Sequence, residues 1–148
     1  MRTPTSTRTL CDAGVLPKEG NDARFIDVGV LSKLPLGGVT SWQHQVHSND
    51  PGQRVFARDL LQVEVLNHSR NKRLFTLFNT HLTSQFVAFG EDPVAAPAAK
   101  AARRRRQCET IARIVEAEPD SPFLIVGDMN DTPDSEALQP LAQADLDC

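Results

Sequence analysis

Strand-forming runs interleaved with one long helical period place this chain in the mixed α/β (α+β) class, with helices laid against a β-sheet. Three observations carry that reading. Residues 55–66 (VFARDLLQVEVL) and 74–78 (LFTLF) are apolar runs on either side of a polar stretch of hairpin length, 67–73 (NHSRNKR), so they pair antiparallel. Residues 98–118 repeat Ala101, Cys108, Ile111, Ala112 and Val115 at helical spacing, and Pro119 ends the run. Residues 123–126 (FLIV) are a short, partly β-branched run suited to a buried strand, and the helix before it is long enough to bring its end beside that of 74–78.

The remaining segments follow in order. Residues 1–25 show little apolar periodicity and contain Pro4, Gly14, Pro17 and Gly20, which predicts loop, with 1–20 poorly ordered and the domain proper spanning 21–148. Asn21, Asp22 and Arg24 crowd into GNDAR, a polar turn or a substrate-facing loop. Residues 26–31 (IDVGVL) alternate Ile26, Val28 and Val30 with Asp27, Gly29 and Leu31, the period of a strand. Residues 32–38, with Pro35, form a turn, and 39–46 are a weaker strand containing Trp42. The alternation of LFTLF puts apolar groups on both faces, as in a sheet covered on two sides. Loop follows over 84–96, and a last helix is expected through 133–141, with Thr132 as N-cap and Pro133 in its first turn.

Composition excludes several functions. A net charge of −3 gives no basic field of the kind that draws nucleic acid unaided, although bound cations can replace lysines in a phosphate enzyme. Cys11, Cys108 and Cys148 are odd in number and widely spaced, which favours neither a disulfide framework nor a zinc site. His44 and His47 are three apart in a strand-like context, and they and His68 read as surface histidines. The first ten residues (MRTPTSTRTL) lack the apolar core of a secretory signal, so the cytoplasm is the default location.

Chemistry concentrates at two strand ends, Asn79-Thr80-His81 and Gly127-Asp128-Met129-Asn130. Asp and Asn are common turn residues, but paired strand ends on one edge would also present a carboxylate, an amide and an imidazole together. Such oxygens suit Mg²⁺ or Mn²⁺ rather than zinc. His81 there is placed to donate a proton to a leaving oxyanion. Arg103 to Arg106 span a full turn, so they divide between a solvated face and one or two side chains directed toward the His81 region.

GDMND with PDS after it, NTHL after an apolar strand, ARD before the preceding strand and IDVGVLS occur in an order that resembles the endonuclease/exonuclease/phosphatase superfamily. The resemblance covers about residues 21–141. It implies a deoxyribonuclease-I-like four-layer sandwich of mixed sheets flanked by helices, here incomplete, and Mg²⁺-dependent (or Mn²⁺-dependent) hydrolysis of a phosphoester such as a nucleic acid. Carried over, Asp128 and Asn130 bind or orient the metal-bound phosphate, His81 meets the phosphate or leaving oxygen, and Arg58 contacts phosphate or braces the site. Asn79 is a helper, and Asn21, Asp22 and Arg24 are rim residues. Two family features have no counterpart: the early-strand metal-binding Glu, for which Glu19 is a poor substitute, and the closing Asp-His pair. The chain thus resembles the middle of a family domain, and a non-catalytic binding module or an inactive fragment of the same fold is the alternative.

Overall fold

The computed structural model describes residues 26–47, 50–118 and 122–143. They form strands β1 (Leu36–Ser41), β2 (Val46–His47), β3 (Asp50–Arg54), β4 (Leu60–Leu66) and β5 (Arg73–His81), helix α1 (Ala95–Glu116), strand β6 (Phe123–Asp128) and short helix α2 (Gln139–Gln143). One mixed sheet runs β1-β4-β5-β6, and β2 and β3 make a separate two-stranded ribbon. β4 pairs antiparallel with both β1 and β5, and β5 pairs in parallel with β6. The mixed α/β class expected from the sequence is what the chain adopts. Of the four-layer arrangement, the described residues build one sheet and the helical layer on it.

The hairpin forms as its polar loop implies. Asn67 closes the loop: its backbone N–H donates to Lys72 O at 2.9 Å and its side-chain oxygen accepts from the Asn71 N–H at 3.1 Å. Alternation then sets two faces. Leu60 and Gln62 of β4 pair with Thr80 and Phe78 of β5, so these four share a face. α1 lies over it, and Cys108, Ile111 and Val115 join Leu60, Phe78 and Leu82 in one buried cluster. Phe78 and Phe123 meet edge to face with centroids 6.5 Å apart. The opposite face is covered unevenly: Val63 is 1% exposed, whereas Leu124 is 50% exposed.

α1 begins three residues earlier than the apolar period indicates. Asp92 Oδ1 accepts from the N–H groups of Val94 and Ala95 at 2.8 and 3.1 Å, satisfying donors that the first turn leaves free. Those bonds hold the Asp92 carboxyl below the usual carboxylate range. Pro97 falls in that first turn, where its missing N–H costs nothing.

Three expected elements differ. Residues 26–31 join no strand ladder, although Ile26, Val28 and Val30 are half-buried and the residues between them exposed, as the alternation requires. The Asn79 side chain of the interior strand β5 donates to Gly29 O at 2.9 Å, which lays this segment on the sheet's face, where no backbone edge is open to it. The strand expected over 39–46 starts earlier, within the expected turn, and stops at Ser41. There the Trp42 N–H is shared by Leu60 O at 3.1 Å and the Asp59 carboxylate at 3.0 Å. The helix expected through 133–141 is instead a series of three-residue turns (Ser135 N–H to Thr132 O, Leu138 N–H to Ser135 O) before α2. Pro140 cannot donate to residue 136, so a continuous helix would break there.

Candidate functional site

The parallel pairing of β5 and β6 brings the two polar strand ends together. In register, Thr80 lies beside Gly127 and His81 beside Asp128, and the pairing continues with Leu82 N–H donating to Asp128 O at 2.9 Å. Thr80 itself is fixed from the other side, its hydroxyl donating to Asp59 O at 3.0 Å. Gly127 adopts φ +137°, and a Cβ there would overlap the Thr80 carbonyl, so only glycine permits this close approach.

His81 Nε2 lies 3.4 Å from Asp128 Oδ2. Asp128 Oδ1 accepts from the Asn130 N–H at 2.9 Å. This is the Asx turn that such a residue forms in any loop, and it leaves Oδ2 directed to the imidazole, so the turn role and the site role coexist. Asn130 has φ 52°, a left-handed conformation that asparagine tolerates, and its Nδ2 donates to Leu82 O at 3.0 Å. With that nitrogen engaged, the side-chain oxygen is the atom Asn130 can offer a ligand.

Arg58 sits in the bend before β4, 5% exposed, and its guanidinium donates to the same Leu82 carbonyl at 3.3 Å. Of the two roles the resemblance implies for it, the observed geometry is that of a brace. Asn79 lies on the His81 face of β5, two residues before it, and its amide is occupied with Gly29 O. Asn21, Asp22 and Arg24 lie outside the described residues.

Sequence reasoning passed over a second layer. Arg104 of α1 is 4% exposed; its Nε donates to Asp131 Oδ2 at 2.8 Å and its guanidinium to Thr83 O at 3.2 Å. Gln107, 1% exposed, accepts from the Thr83 N–H at 3.0 Å and donates to Val55 O at 3.0 Å. The expectation that one residue of the arginine run turns toward the His81 region is met by Arg104. Which residue it would be had no signal, because four consecutive arginines carry no helical phase.

For a divalent cation, Asp128 and Asn130 supply two hard oxygen donors on one strand end. That suits Mg²⁺, which takes one or two carboxylates and fills its remaining positions with water and phosphate oxygens. Among the described residues no three of His, Cys, Asp and Glu come together.

The chain matches the model of the endonuclease/exonuclease/phosphatase family over residues 7–148 and belongs to that family. It is a phosphoesterase-type family whose members generally use a divalent metal. No curated protein and no solved structure matches the chain. No helix among the described residues is long and apolar enough to cross a membrane.

Proposed function

We propose that the edge formed by His81, Asp128 and Asn130 is the phosphate-handling part of a Mg²⁺-dependent phosphodiester hydrolase, with Mn²⁺ as a substitute ion. The observation that carries this reading is the in-register approach of His81 and Asp128 at 3.4 Å beside an asparagine whose amide nitrogen is already committed. A divalent cation held by Asp128 and Asn130 would offset charge on the phosphoryl oxygens and acidify a bound water. His81, with Asp128 favouring its protonated form, hydrogen-bonds the phosphate or the departing oxygen. Arg58 and Asn130 both fix the Leu82 carbonyl, so the backbone directly after His81 does not drift when substrate arrives. The substrate is a phosphoester, with nucleic acid one member of that class.

The test is hydrolysis of a generic phosphodiester, bis(4-nitrophenyl) phosphate, with calorimetric titration of Mg²⁺ and Mn²⁺. Asp128→Ala and His81→Ala are each expected to lower kcat by roughly 100-fold or more, as for residues that act in the chemical step. Near-normal rates in both variants, or no divalent-ion binding by the wild type, would end this reading. A second reading, a phosphate-binding module without catalysis, draws on the lack of a third acidic or imidazole ligand among the described residues. It is the better account if phosphodiester binds but is not cleaved.

A further inference from the structure

The two polypeptide segments that carry the site leave the sheet side by side, and beyond the last ladder bond something else must hold them together. Thr83 is two residues past His81, and Asp131 directly follows Asn130. Arg104, on the crossover helix, holds both: 2.8 Å to Asp131 Oδ2 and 3.2 Å to Thr83 O, with its side chain 5% and that of Asp131 11% exposed. The Asn130 amide closes the ring by donating to Leu82 O at 3.0 Å. Asn130 is thereby fixed in its left-handed conformation from both sides, by Asp128 Oδ1 before it and by the Arg104–Asp131 pair after it.

We propose that Arg104 is a positioning residue: through Asp131 and the Thr83 carbonyl it sets the separation of the His81 and Asn130 segments, and so aims the Asn130 side-chain oxygen and the His81 imidazole at one phosphate. The neighbouring arginines do not share the task. Arg105 is exposed and pairs with Glu109 on its own helix at 3.1 Å. A planar guanidinium with several fixed N–H directions reaches two acceptors that diverge from one point, which the compact ammonium of lysine does less well. A buried pair of this sort contributes little net stability over an apolar replacement, so its effect is read in geometry rather than in unfolding.

The catalytic consequence rests on the hydrolase reading, whereas the latch itself does not, and the experiment separates them. In the full chain, the side-chain amide protons of Asn130 are followed by NMR exchange alongside hydrolysis of bis(4-nitrophenyl) phosphate. Arg104→Met is expected to lose at least roughly tenfold of the Asn130 amide protection while β4–β5 amides keep theirs. It should also lower kcat roughly 10- to 100-fold, the range seen when groups that orient site ligands are removed, with KM little changed. Arg104→Lys should fall between, and Asp131→Asn, which keeps a neutral acceptor, should retain most protection. An Arg104→Met protein with unchanged Asn130 protection overturns the proposal, as does one whose protection falls evenly across the sheet or whose kcat is untouched in an active enzyme. If the wild type proves hydrolytically silent, the hydrolase reading fails and Asn130 exchange alone decides the latch.

Discussion

Replacing Gly127 by alanine tests whether the β5–β6 contact is as close as the site requires. Two costs arise, and they can be separated. A φ of +137° disfavours any L side chain, at about 1–3 kcal/mol. The added Cβ would also sit 2.8 Å from Thr80 C and 3.0 Å from Thr80 N, and closer still to the Thr80 carbonyl oxygen. These are backbone atoms, so no rotamer change relieves them. The strands must part, giving up one or two ladder hydrogen bonds at about 1 kcal/mol each. The sum is about 2–5 kcal/mol, a large share of the total stability of a domain this size. For a chain of this length that is a fall in Tm of roughly 4–20 °C.

Gly90 supplies the control. It too has a positive φ, 92°, but no atom lies within 4 Å of where its Cβ would be, so Gly90→Ala should show conformational strain alone, about 1 kcal/mol. Thermal unfolding followed by circular dichroism reads both variants. We expect Gly127→Ala to be the more damaging by several degrees and to weaken phosphodiester hydrolysis even below its Tm, because Asp128 follows directly. Equal, small losses at the two glycines would refute the close-approach explanation.

Two further outcomes follow from burial. Desolvation raises the Asp59 carboxyl above its ordinary 3.8, against the opposing bonds from Ser41, Leu60 and Trp42. The folded state therefore keeps this proton to higher pH than the unfolded chain. Its contribution is fully present below the ordinary value and is lost as pH rises through the raised one. Asp59→Asn should consequently raise the midpoint of urea unfolding at neutral pH, with the advantage vanishing in acid; an unchanged or lower midpoint at neutral pH would contradict this. Burial likewise pushes the Cys108 thiol up to about 12, so iodoacetamide at pH 8 should label the Cys108 peptide only after unfolding, as read by peptide mass spectrometry. Rapid native labelling would show that α1 does not seal that side of the sheet.

The legible parts of this fold were those where local chemistry and tertiary packing agree. The 67–73 loop forms a hairpin because its residues satisfy one another, as the Asn67–Asn71 contacts show. The strand ends at His81 and Asp128 were readable because a polar cluster after an apolar run is visible in the letters themselves. Residues 26–31 were only half legible: a period of two reports which side chains are covered, not whether a backbone partner exists. The segment at 133–141 misled because Thr132-Pro133 is a sound helix start, while the consequence of Pro140 is felt a full turn earlier. Arg104 was hidden for a different reason. Its partners, Asp131 and Thr83, lie 27 and 21 residues away, and pairing at such separation has no local signature.

Parallel pairing is what lets so few residues make a site. In an antiparallel pair the end of one strand meets the start of the next, so His81 and Asp128 could not both be terminal and adjacent. A parallel pair requires a long crossover, and α1 is that crossover. It covers one face of the sheet with Cys108, Ile111 and Val115, and from the same side directs Arg104 and Gln107 to the segments that emerge beyond the strands. The element that makes the two ends neighbours therefore also fixes their spacing. A change that shortened or re-phased α1 by a single residue would move Arg104 by about 100° around the helix axis and lose both contacts, while leaving the His81–Asp128 register to the sheet.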